Sequence, residues 1–149
     1  MATVQATRYR SSLKLLLSVV FATCVITIAA NAQPTFVGKF TLPYEVHWGQ
    51  AVLPAGEYSI RMDSVEAGAK VTSADGSRTV YTQFPMFADR EKGGTHLTIT
   101  TMGNERRVRT LNAPEIGKLI IFAPLSKSER EELAKGGQST TVPVVTAKK

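Results

Sequence analysis

Imidazole is the only side chain whose ordinary titration falls near neutral pH, so His47 and His96 are the first candidates for general base or metal chemistry. Neither has an Asp, Glu or second His at ligand spacing, and both fall on the polar parity of their segments. They read as ordinary exposed histidines. The nucleophile signatures Gly-x-Ser-x-Gly and His-Glu-x-x-His do not occur, nor does a Ser-x-x-Lys at the start of a buried helix. Ser126 and Ser128 suit helix caps. Asp63, Asp75 and Asp89 are scattered over loops and strand ends, with Asp75 the turn residue of a hairpin. No catalytic residue, cofactor site or metal site is therefore assigned.

Two clusters remain for binding. Arg106, Arg107 and Arg109 form the one basic run, which could contact a polyanion. On a regular strand Arg107 and Arg109 face one way and Arg106 the other, and no aromatic stacking platform accompanies them. A solvated edge with Glu105 and Glu115 as salt-bridge partners fits better, and no nucleic-acid partner is expected. The second cluster is Phe84, Met86 and Phe87, at the entrance to the irregular stretch from Pro85 to Gly94. Buried, these residues plug one end of a small core, the commoner fate of such aromatics. Exposed, they form the apolar patch of a partner site. The stretch is long and ends in Gly93-Gly94, which allows movement, so these three residues are the candidate contact for a protein or glycan.

The elements that position these residues follow from an alternating pattern. Phe36, Gly38, Phe40, Leu42, Tyr44, Val46 and Trp48 are apolar or Gly on the even positions, against mostly polar odd ones. The parity resumes in Tyr58, Ile60 and Met62. Between the runs, Leu53-Pro54-Ala55-Gly56 suits a type I turn, with Pro second and Gly fourth. Pro54, Gly56 and Tyr58 are thus the structural turn that sets the register of the two runs. Pro43 cannot donate to a ladder and marks an edge or a bulge.

Further on, Asp75-Gly76 and Gly103-Asn104 are hairpin signals. Leu119-Ile120-Ile121-Phe122-Ala123 is apolar on both parities and reads as a strand buried on both faces, at the centre of the fold. Ser128-Glu129-Arg130-Glu131 fits a capping box, and Gly136 or Gly137 stops the helix it begins. That helix is too short to stand alone and must lean on the sheet, through Leu133. The expectation is one all-β domain, a sandwich or partly open barrel of about seven antiparallel strands with a short C-terminal helix. It spans residues 33–137, and 138–149 form a disordered basic tail without period.

Residues 1–32 read as a signal peptide. Arg8, Arg10 and Lys14 precede an apolar run from Leu15 to Ala30, and Ala30-Asn31-Ala32 fits a cleavage site before Gln33. The run is shorter than a membrane span, so no stable span is expected after cleavage. The mature chain keeps 117 of 149 residues and loses Cys24, the single cysteine. It therefore carries no disulfide, thiol nucleophile or thiolate ligand. Three of the 18 Lys and Arg also leave, so 15 face 12 Asp and Glu, and a net +6 falls to +3. That mild excess points weakly to a polyanionic partner. The localisation that follows is periplasmic or secreted.

Leu42-Pro43-Tyr44-x-Val46, Gly49 and Leu53-Pro54-Ala55-Gly56-x-Tyr58 resemble a family of small exported bacterial proteins with an LPAGxY signature. Leu97-Thr98-Ile99, Gly103, Gly117-Lys118, Ser128 to Glu131 and Leu133-Ala134 extend the resemblance to about two-thirds of the chain. It implies a signal peptide, a compact β domain and a short C-terminal helix, with no catalytic residues to transfer. Trp48 departs from it, standing where a smaller apolar residue is expected. Two functions are open: an exported non-catalytic domain that binds a protein or envelope component, or a small periplasmic hydrolase with a dispersed site.

Overall fold

A computed structural model describes residues 34–82 and 86–147, so the expected leader and the expected cleavage site at Ala32 and Gln33 lie outside the described residues. Among the described residues the fold is an all-β sandwich of two sheets with one α-helix. The first sheet contains β1 (Phe36–Leu42), β4 (Gly56–Met62), β5 (Lys70–Ser73), β6 (Thr79–Tyr81) and β12 (Val145–Thr146), in the order β12-β1-β4-β5-β6. The second contains β7 (Met86–Asp89), β8 (His96–Met102), β9 (Glu105–Ala113), β10 (Lys118–Ile121) and β11 (Gln138–Pro143), in the order β11-β8-β9-β10-β7. A hairpin of β2 (Val46–Trp48) and β3 (Ala51–Leu53) joins this second sheet where His47 meets Arg107 of β9.

The alternating pattern governs the core. Phe36, Phe40, Leu42, Val46, Trp48, Tyr58, Ile60 and Met62 are all buried. The first run, from Phe36 to Trp48, is in fact two strands, because Pro43-Tyr44-Glu45 carries the chain from one sheet to the other without changing parity. β1 and β4 pair antiparallel with Phe40 opposite Tyr58 and Gly38 opposite Ile60, so the even residues of both share one face. Phe40 packs on Tyr58 and Trp48 at centroid distances of 5.8 and 5.9 Å, and Trp48 meets Phe122 at 5.1 Å.

The Pro54 link differs from the expected turn. It is an open bend that returns the chain from β3 to β4, with Gly56 at φ 151°, a conformation that favours glycine. Tyr58 Oη donates to the Pro54 carbonyl oxygen at 2.9 Å and fastens the bend. The side-chain bond thus joins Pro54 and Tyr58 across the bend, with Gly56 supplying the positive φ between them.

Three further expectations are corrected. β10 is not central: it lies between β9 and the edge strand β7, while β9 is flanked by β8, β10 and β2. The helix, α1 (Lys127–Gly136), begins one capping box earlier than expected. Its N-cap is Ser126, whose hydroxyl accepts from Glu129 N at 3.2 Å while Glu129 Oε2 accepts from Ser126 N at 2.8 Å. Ser-x-x-Glu occurs twice in overlap here, and Arg109 decides between the two, as described below.

The expected disordered tail is the third correction. β11 pairs along β8 from Gln138 to Pro143, and β12 then crosses to pair with β1. Val142 and Val144 are buried, and Gly38 makes room for the crossing: a Cβ there would stand 2.5 Å from Val144 Cγ1. Thr146 Oγ1 also donates to Glu115 Oε1 at 3.0 Å. Only two inward residues show in this segment's sequence, too few to announce a strand.

Ending the chain after Gly137 would uncover one edge of each sheet and remove Val142 and Val144 from the core. Each buried Val stabilises by roughly 1.5–3 kcal/mol, against a total of about 5–15 kcal/mol for a domain. The truncated protein is expected to unfold at much lower urea, or not to fold. An unchanged urea midpoint would show that the C-terminal strands are not part of the folded unit.

Candidate functional site

Of the expected contact residues, Phe84 lies outside the described residues, while Met86 and Phe87 open β7. Neither is a plug: Met86 is 58% and Phe87 37% exposed. Register explains the difference between them. Phe87 opposes Ile120, which opposes Leu111, so it ends a row that is core in the two preceding strands. Met86 opposes Ile121 on the outer face. β7 pairs with β10 alone among the described residues, which leaves its far edge open.

The segment after β7 is fastened, in contrast to the mobility expected of Gly93-Gly94. Asn112 is fully buried in β9, and its Oδ1 accepts from Glu91 N at 3.0 Å. Its Nδ2 donates to the carbonyls of Glu91 and Gly94, at 3.3 and 3.1 Å. A buried amide with its groups paired to backbone holds a loop as a strand partner would. His96 adds a ring nitrogen 2.9 Å from the Gly94 carbonyl oxygen, and its other nitrogen stands 3.9 Å from Glu91 Oε2. Its side chain is only 19% exposed, so it is a loop anchor and not a free surface histidine. Asn112 follows Leu111 with no motif around it, and only its burial identifies it.

The basic cluster divides differently from the regular-strand expectation. Between Thr98 and Ile99 the partner on β9 jumps from Thr110 to Val108, leaving Arg109 as the extra residue of a β-bulge. The bulge reverses parity, so Val108 and Leu111 both face the core. Arg109 turns to the other face and is 3% exposed. Its Nε donates to Thr100 Oγ1 at 2.8 Å and its Nη2 to Glu129 Oε1 at 2.6 Å. Arg106 lies over the Tyr44 ring, 4.5 Å from its centroid, and Arg107 pairs with Glu105 as expected. Glu115 instead bonds Thr95 and Thr146.

Glu129 thus caps α1 with one oxygen and holds Arg109 with the other. Ser128 and Glu131 offer the helix the same cap, but not a carboxylate within reach of Arg109. The helix buries no residue fully and Leu133 is only half-buried, so this ion pair is its principal anchor to the sheet.

A concavity lies elsewhere, on the outer face of the first sheet. Lys39, Ser59, Thr72 and Thr79 stand opposite one another across β1, β4, β5 and β6, and Thr41 opposes Glu57 in the next row. Of these residues Lys39, Thr41, Glu57, Ser59 and Thr72 floor a trough of about 660 Å³, walled by Pro143 and Val145 on one side and the β5–β6 turn on the other. Within that turn Asp75 accepts from Ser73 Oγ and from the amide and hydroxyl of Ser77, which hold its carboxyl down at about 2. Among the described residues no three His, Cys, Asp or Glu side chains come together.

Hydrogen bonds from the Ser126 amide and from Arg109 lower the Glu129 carboxyl to about 2, below its ordinary 4.5. A depressed carboxylate stabilises the fold at pH values above the ordinary one and ceases to do so as pH falls toward 2. Glu129→Ala should destabilise by about 2 kcal/mol at pH 7, where Arg109 loses its charged partner. The gap to the wild type should narrow between pH 4.5 and pH 2 in urea titrations. A gap constant across that range would show that the ion pair contributes nothing to stability.

Comparison with known proteins finds no family model, no curated protein and no solved structure that matches the chain.

Proposed function

We propose that this chain is an exported, non-catalytic β domain that binds a protein partner of the cell envelope along the open edge of β7. The observation that carries the reading is the exposure of Met86 and Phe87 on a strand whose far edge is unpaired among the described residues. An open edge offers backbone donors and acceptors to an added strand, and alternate side chains then give the contact its specificity. Phe87 supplies an aromatic anchor at the end of a core row, the kind of residue that dominates contact energies. Asn112 and His96 hold the following segment, so the edge is presented already ordered.

The reading takes the chain for one of the LPAGxY proteins it resembles, with residues 1–32 removed on export to the periplasm or medium. No helix among the described residues is long and apolar enough to cross a membrane. Amino-terminal sequencing of protein recovered outside the inner membrane should begin at Gln33 or its cyclised form. Recovery only as the full-length chain in the inner membrane would overturn the export reading.

Binding is tested by capture from envelope extracts with the wild type, Met86→Lys and Phe87→Ala at matched stability. A charge on an open edge blocks strand addition, so Met86→Lys should abolish capture. Phe87→Ala should weaken it by at least about tenfold, the scale of an anchor residue. Because Asp89-Arg90-Glu91-Lys92 is locally neutral, capture should vary little with salt. Capture that survives both substitutions, or that falls with Arg107→Ala and with salt, would move the contact away from β7.

A further inference from the structure

We infer that the trough on the outer face of the first sheet is a second binding site, separate from β7, and that it takes a single strand of a neutral oligosaccharide. The trough combines polar side chains on its floor, Lys39, Thr41, Glu57, Ser59 and Thr72, with apolar surface at Pro143 and Val145 on one wall. An apolar helix or a second packed sheet requires a row of apolar side chains, and here the row on the floor is Lys39, Ser59 and Thr72, with Thr79 beside it. Its hydroxyls already stand in hydrogen-bonding order: Thr72 Oγ1 is 3.4 Å from Thr79 Oγ1, and Ser59 Oγ donates to the Thr72 carbonyl at 3.3 Å.

Charge identifies the ligand class. Lys39 and Glu57 are the charged side chains that line the trough, one of each sign, so the lining is neutral overall. Neither takes part in an ion pair or a side-chain hydrogen bond among the described residues. An ammonium offers only donors and a carboxylate only acceptors. A sugar hydroxyl both donates and accepts, so a polyhydroxylated ligand satisfies the two groups at once. A polyanion would satisfy Lys39 and be repelled by Glu57. Val145, 73% exposed on the wall, gives the C–H face of a pyranose ring an apolar surface.

Dimensions agree with one extended chain. The trough runs from β12 across β1 and β4 to β5, three interstrand steps of about 4.8 Å each, or about 14 Å. All of the floor lies on paired strands, so little ordering is required on binding.

The test is an amide chemical-shift titration of the folded domain with maltohexaose, cellohexaose, N-acetylchitohexaose and, as the acidic arm, hexagalacturonate. At least one neutral hexasaccharide should give saturable shifts at up to about 10 mM, centred on residues 39–41, 57–59 and 72. The Kd should change by less than about threefold between about 50 and 500 mM salt, as for an uncharged ligand. Lys39→Ala combined with Glu57→Ala should raise it at least about tenfold, the loss of two charge-assisted hydrogen bonds. Phe87→Ala should leave it unchanged. No shift with any neutral sugar, shifts centred elsewhere, or binding of hexagalacturonate alone with steep salt dependence would each overturn the proposal. Shift mapping uses the wild-type protein, so the result stands even if the double variant folds poorly. It is also independent of whether β7 captures a protein.

Discussion

The arrangement of the second sheet depends on one irregularity, the bulge at Arg109. A regular β9 would keep its even residues inward along its whole length and turn Leu111 and Ala113 outward. The extra residue lets Val108 and Leu111 both face the core, and so joins two halves of a strand that are out of phase. The same residue is aimed at the opposite face, where its guanidinium spans Thr100 on β8 and Glu129 on the helix. Guanidinium suits that position because it stays charged when buried and presents several donors in a fixed plane. Helix placement, helix start and core continuity are thus coupled through one side chain.

This coupling also explains what could be read in advance. Phe36 to Trp48 and Tyr58 to Met62 declare their faces because period two survives the Pro43 crossing between sheets. The two-residue hairpin turn at Gly103-Asn104 is equally plain, since its backbone demands are met by few residue types, whereas Asp75-Gly76 marks the place of a turn but not its length, residues 74–78. Nothing in Arg106-Arg107-Val108-Arg109 marks a bulge, and a regular strand puts Arg107 and Arg109 together on a wet face. The helix start was ambiguous for a related reason: two Ser-x-x-Glu boxes overlap, and the choice is made by a residue twenty positions away in the chain.

The two proposed binding surfaces were legible in part. Met86 and Phe87 stand out because large apolar residues in a segment without period call for an explanation, yet their exposure depends on which strand ends the sheet. The trough was silent in the sequence. Lys39, Glu57, Ser59 and Thr72 occupy the polar parity that any solvent face would show, and concavity comes from sheet twist and from walls supplied by distant segments. Asn112 was silent too, because an amide reads as a turn residue until its burial is known.

The crossing of β11 to β12 has a consequence for the order of events during synthesis. β1 stands near the start of the domain, and its outer partner is β12, about a hundred residues later. β8 likewise waits for β11. Contacts so far apart in sequence close slowly, and here they cannot close at all while residues 138–146 are still inside the ribosome. Until then both sheets have an uncovered edge and Gly38 faces an empty seat. On the export reading proposed above, the leader and these last strands would act as a pair: one delivers the chain, and the other withholds the finished fold until synthesis is complete.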